Sequence, residues 1–140
     1  MFLLDTNVVS ELRKAKSGKA NASVIAWASG VPKGSMYLSA ITVLELELGI
    51  QQVERRDPNS GGILRAWLCN QVIPEFQQRI FPVDLAVAQR CAALHVPITR
   101  SERDALVAAT ALVHRMTVVT RDVSDFAPTG VPLLNPWSSP

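Results

Sequence analysis

Apolar residues recur along the chain in two rhythms, short unbroken runs and longer stretches spaced by three and four. Together these predict short buried strands alternating with amphipathic helices. Met1–Leu4 is an apolar run cut off by Asp5, and Val8, Val9 and Leu12 follow at helical spacing, so strand, turn and helix succeed one another. Residues 13–20 form a polar connection holding Arg13, Lys14, Lys16, Lys19 and Gly18. A second helix around Val24, Ile25 and Trp27 is closed by Gly30, Pro32 and Gly34. Met36-Tyr37-Leu38 predicts a second strand, and Ile41, Leu44 and Leu48, with Glu45 among them, start a helix running to about Arg55.

Asp57-Pro58-Asn59-Ser60-Gly61-Gly62 predicts a loop before a further helix through Ile63, Leu64, Trp67, Leu68 and Val72, which makes a helical hairpin over residues 40–76. Ile80-Phe81 predicts a third strand, with a helix after it through Leu85, Ala88 and Leu94 that Pro97 ends. The next helix starts near Ser101 and is apolar almost all round from Ala105 to Val113. Thr117–Thr120 then reads as a buried strand ending at Arg121-Asp122. Val131–Leu134 suits an edge strand, and residues 135–140 an irregular tail. Strands that alternate with helices predict an α/β fold with a mostly parallel sheet, because parallel neighbours need crossovers. Ligands of such sheets gather at the carboxyl ends of the strands, where Asp5 and Asp122 are expected.

Composition narrows the class. With 140 residues, 48% hydrophobic and 19% charged, the chain should form one domain over residues 1–140 with a well-filled core. The balance of 14 Lys+Arg against 12 Asp+Glu leaves +2, too small to hold nucleic acid by charge alone. Cys69 and Cys91 show no CxxC spacing and no Cys/His cluster, so neither a disulfide framework nor a structural zinc is expected. Phe2-Leu3-Leu4 is too short for a signal peptide, and no stretch approaches the roughly 18 apolar residues that cross a membrane. A soluble protein of the reducing cytoplasm is expected.

Four acids carry the candidate chemistry. Each has a bland reading: Asp5 and Asp122 as caps after strands, Asp104 three after Ser101 and Glu45 three after Thr42 as capping boxes. Together they are expected to converge on one sheet edge. Two carboxylates about 5 Å apart repel by roughly 3 kcal/mol at an effective dielectric near 20, so four would take up protons or recruit a cation. Oxygen-only ligands favour Mg²⁺ or Mn²⁺, and such ions assist attack on phosphodiesters. Glu47, two residues past Glu45, should face elsewhere and be solvated. His95 and His114 are expected to be ordinary core or surface residues.

These residues also carry a resemblance. Met1-Phe-Leu-Leu-Asp5-Thr-Asn7-Val-Val-Ser-Glu11, Ser39-Ala-Ile-Thr42-Val-Leu-Glu45-Leu-Glu-Leu-Gly49, Asp104-Ala-Leu-Val-Ala-Ala-Thr110-Ala and Thr120-Arg-Asp122-Val-Ser-Asp125-Phe126 resemble the four PIN-domain motifs in order. The likeness is greatest to the VapC/FitB-like toxins and extends to Asn135-Pro136-Trp137. It implies a three-layer α/β/α domain with four to five short strands. It also implies a Mg²⁺-dependent endoribonuclease, the homodimeric toxin of a bacterial toxin–antitoxin pair, that cuts RNA with a metal-activated water.

By motif position, Asp5, Glu45, Asp104 and Asp122 would form the acidic site, with Asp5 and Asp104 as direct metal ligands. Thr6, Asn7 and Thr120 would orient the carboxylates. Relatives often carry Asn in place of Asp122 and the acid just before the Phe, so Asp125 competes for the fourth position. Arg13, Lys14, Lys16 and Lys19 would steer RNA, and an antitoxin would insert a basic segment into the pocket, DNA being met only through that antitoxin. The apolar helix around Trp67 is the expected dimer surface. Two rivals remain. A phosphoacceptor receiver-type switch would need a late lysine, whereas all four lysines lie at or before Lys33. A non-catalytic module would bind an ion or a partner's arginine in the same pocket.

Overall fold

The structure, a computed structural model, describes residues 1–138; residues 139–140 of the expected tail lie outside them. Strand β1 (Phe2–Leu4) leads into helix α1 (Thr6–Arg13), and α2 (Ala22–Ser29) leads to β2 (Met36–Ser39). Next come α3 (Ala40–Arg56) and α4 (Pro58–Trp67), which passes through a π-helical stretch, Leu68–Val72, into α5 (Ile73–Phe76). After β3 (Ile80–Phe81) the chain forms α6 (Leu85–Leu94), α7 (Glu102–His114), β4 (Thr117–Val119), α8 (Val123–Phe126) and β5 (Leu133–Leu134).

All strand pairings are parallel and the sheet order is β3-β2-β1-β4-β5. Phe2 pairs with Met36 on one side and Thr117 on the other, so β1 is central. The chain therefore builds outward from β1 through β2 to β3, then crosses to β4 and β5. The reversal of direction falls between β1 and β4, the position where doubly wound sheets open a crevice beyond their carboxyl ends.

Helices cover both faces, giving three layers. Leu4, Met36, Leu38 and Val119 pack on one side with Val8, Val9, Leu46, Ile50, Val72 and Phe76. Their strand neighbours Leu3 and Val118 pack on the other with Val107, Ala108, Ala111 and Phe126. This alternation on two buried faces is why the strands read as unbroken apolar runs.

The α3–α4 junction departs from the sequence expectation. Only Asp57 separates the helices. Its carboxylate accepts from Ser60 N (3.3 Å) and Ser60 Oγ (2.7 Å), and Pro58 sits at the first helical position, so the expected loop of residues 57–62 is the start of α4. Gly61 belongs there because a Cβ would lie 2.5 Å from Glu54 Cα; the two backbones touch at this residue. Trp67 is half-buried. It packs against the core with Arg13 6.0 Å above its ring, while Leu44, Leu48 and Ile63 are the apolar side chains that α3 and α4 leave exposed.

Candidate active site

The parallel pairing fixes where the first acid goes. Asp5 follows β1, its N–H donates to Val119 O (2.9 Å), and Thr120 follows β4 directly beside it. Asp5 is 7% exposed, and its Oδ1 accepts from Thr6 N (2.9 Å), so the capping reading of this residue holds. Its Oδ2 accepts from the buried Thr120 hydroxyl at 2.8 Å. Each oxygen keeps a second lone pair, so capping and ligation are compatible.

The capping boxes do not form. Ser39, whose side chain accepts from Ile41 N (3.0 Å), starts α3, which moves Thr42 inside the helix. Buried Thr42 instead donates to Leu4 O (3.4 Å), holding the first turn of α3 against the end of β1. Glu45, one turn on, accepts from Thr6 Oγ1 at 2.6 Å. Ser101 makes no side-chain cap bond, leaving Asp104 in the first turn of α7. Asp122 makes no cap bond to α8 either; its Oδ2 accepts from Asn7 Nδ2 at 3.1 Å. Asn7 Nδ2 also donates to Thr120 Oγ1 (3.3 Å), and Asp122 N donates to that same hydroxyl (2.9 Å). Thr6, Asn7 and Thr120 thus each orient a different acid.

The electrostatics show the convergence. Burial pushes the Asp5 carboxyl from 3.8 to about 6; hydrogen bonds from Thr120 and Thr6 oppose this, and the charges of Glu45 and Asp104 add to it. Asp104 is raised by burial first, then by Asp125, Glu45 and Asp122, with Arg103 opposing. Five carboxylates therefore share one field, and Asp104 feels Asp125 more strongly than Asp122. A cleft of about 240 Å³ opens beside Asp104 and Asp125, bordered by Ser101 and Thr129. The donors are all carboxylate oxygens, several already oriented by neutral N–H and O–H groups, and their crowding favours a cation. The chemistry of this donor set suits Mg²⁺ or Mn²⁺, and among the described residues no three of these acids bring their oxygens within 4.8 Å of one another, so side chains would close on the ion as it binds.

The remaining candidates lie apart or are occupied. Glu47 is not free in solvent but accepts from Arg65 NH1 at 2.7 Å, an ion pair that holds its carboxyl below the usual range. Lys14 is 3.3 Å from Glu11, whereas Lys16 and Lys19 are exposed. His114 stacks on Phe81 with centroids 3.8 Å apart. Cys91, His95 and Glu102 do come together, although the spacing shows no cluster. His95 Nδ1 accepts from Arg100 N at 3.0 Å, so the neutral ring carries its hydrogen on Nε2, the atom that would have to ligate a metal. Two groups at the site escaped the sequence reading. Arg103 NH1 lies 3.7 Å from Glu45 Oε2, and Arg121, next to Asp122, sits 4.3 Å above the Trp137 ring. The available signal was a basic residue directly before Asp104 and before Asp122, with Arg103 placed at the unfavourable end of its helix.

A five-stranded parallel sheet with acids at its β1/β4 switch point defines the PIN domain, and the family profile for that domain matches residues 2–129. This chain belongs to the PIN-domain family. It is 37% identical to the VapC ribonuclease Y4jK of Sinorhizobium fredii and 36% identical to the toxin FitB of Neisseria gonorrhoeae. The first alignment covers 98% of both chains, the second 98% of this chain and 99% of FitB. The structure of FitAB bound to an IR36 DNA fragment superimposes with a TM-score of 0.89 at 34% identity, over 100% of this chain and 98% of that one.

Proposed function

We propose that this chain is a Mg²⁺- or Mn²⁺-dependent endoribonuclease, the toxin of a toxin–antitoxin pair. The observation that carries the reading is the crowding itself: Asp5 and Asp104 are both held above the ordinary carboxylate range beside Glu45, Asp122 and Asp125. Such an arrangement costs stability and is retained where a cation and its chemistry repay it. The names of the relatives, VapC ribonuclease and toxin FitB, agree with it.

Asp5 and Asp104 would hold the ion, which when bound supplies positive charge against the phosphate and makes neighbouring water more acidic. The chain's own groups do the orienting. Thr6 and Asn7 hold Glu45 and Asp122, whose free lone pairs would accept protons from the attacking water. As the water oxygen bonds to phosphorus, one P–O ester bond would break, and the proton the carboxylate took from water would pass to the departing oxygen. Asp122 and Asp125 both act on Asp104, and either serves as the fourth acid. Lys16 and Lys19, with Arg13 and Lys14, would steer RNA.

An antitoxin would close the pocket with a basic segment, carrying the toxin to DNA indirectly. The exposed i,i+4 pair Leu44 and Leu48 on α3 suits a homodimer. No helix among the described residues is long and apolar enough to cross a membrane. The test is cleavage of a mixed single-stranded RNA. Mg²⁺-dependent cleavage should be lost with EDTA and fall at least about 100-fold in Asp5→Asn. Equal behaviour of all three would leave the pocket as a binding module.

A further inference from the structure

Arg103 is poorly placed for helix stability and well placed for the site. It occupies the first turn of α7, where the helix presents its positive end and a cation is unfavourable. Its side chain is 47% exposed, and its guanidinium reaches across to α3, stopping 3.7 Å from Glu45 Oε2, longer than a hydrogen bond. Glu45 is already held on its other oxygen by Thr6 at 2.6 Å. The contrast with Arg65 is direct. That residue makes three hydrogen bonds of 2.7–3.3 Å to Glu47 and Glu54, one from each of its nitrogens, and is held in place by them. Arg103 keeps most of its five donors free, beside the most crowded carboxylates of the molecule.

Resting on the metal-nuclease reading, we propose that Arg103 is the phosphate-holding residue of this site. It serves as the pocket's own counter-ion until a divalent cation binds, and then gives its guanidinium to a non-bridging oxygen of the RNA phosphate. A planar fork of N–H donors matches two phosphate oxygens, whereas an ammonium offers a point charge. A loose, exposed pair with Glu45 costs little to break.

The test uses the full chain and the variants Arg103→Ala and Arg103→Lys, with melting by circular dichroism as the check on folding. Mn²⁺ alone is titrated by electron paramagnetic resonance, and RNA cleavage is followed with Mg²⁺. Removing the internal cation should tighten Mn²⁺ binding several-fold in Arg103→Ala, while KM for RNA rises at least about tenfold. Arg103→Lys should return Mn²⁺ affinity to the wild-type value and recover only part of the KM. Unchanged or weaker Mn²⁺ binding, or an unchanged KM, in Arg103→Ala overturns the inference while leaving an active wild type intact. A wild type that binds Mn²⁺ and cuts no RNA overturns the nuclease reading, and the inference with it.

Discussion

Glu45 and Glu47 stand two residues apart on α3 and meet opposite fates. Glu47 faces the α4 side of the helical hairpin, where Arg65 bonds it at 2.7 Å and also grips Glu54 through two nitrogens. Arg65, Glu47 and Glu54 pair with one another, and the Glu47 carboxyl is held below its ordinary range, chiefly by the Arg65 hydrogen bond. Glu45 faces the carboxyl edge of the sheet, where burial and neighbouring acids push Asp5 and Asp104 the other way. The same residue type on one helix thus serves structure on one face and joins a group of crowded acids on the other. The difference separates the two roles: Glu47 is bonded closely within the chain, whereas the crowded acids of the site are answered only by the longer 3.7 Å contact of Arg103 with Glu45.

Breaking this comparison at the sheet edge should have the largest effect. The folded Asp5 carboxyl titrates near about 6 against an ordinary 3.8, so the folded state holds that proton more tightly than the unfolded chain does. Its contribution to stability is complete below about pH 4 and is lost as pH rises through about 6, a difference of about 3 kcal/mol. Asp104 shifts in the same direction. Melting of the metal-free protein should therefore fall between about pH 4 and pH 7, and Mg²⁺ should restore it at the upper end. Asp5→Asn should flatten the dependence and melt several degrees higher than wild type at neutral pH. A wild type whose melting rises across that range would contradict the crowding.

The hairpin should respond in the opposite sense. Gly61→Ala places a methyl 2.5 Å from Glu54 Cα, where backbone must move, and should cost about 1–3 kcal/mol by denaturant titration with RNA cleavage per folded molecule unchanged. The smallest effect is expected for Arg65→Met. Its ion pairs are partly exposed and screened, so melting should drop only slightly and cleavage should stay at the wild-type rate. Loss of cleavage in that variant would erase the distinction between the two faces of α3.

Much of this was legible along the chain. The strands announced themselves as apolar runs because the sheet is buried on both faces, and Asp5 and Asp122 could be placed at strand ends from that pattern alone. Capping was less legible. Thr42 and Glu45 match a capping box, yet Ser39 had already begun the helix, and a match of residue types does not say which position starts it. Asp57–Gly62 has loop composition, but an acid that caps and a proline at the first helical position are also how a helix begins.

By itself the sequence determined the order and type of the elements and which acids stood at their ends, because those depend on spacing and on immediate neighbours. Tertiary structure alone decided which carboxylates were paired and which were crowded. Arg65 meets Glu47 across 18 positions and Thr6 meets Glu45 across 39, and a charge's energy is set by whatever folding brings within a few ångströms.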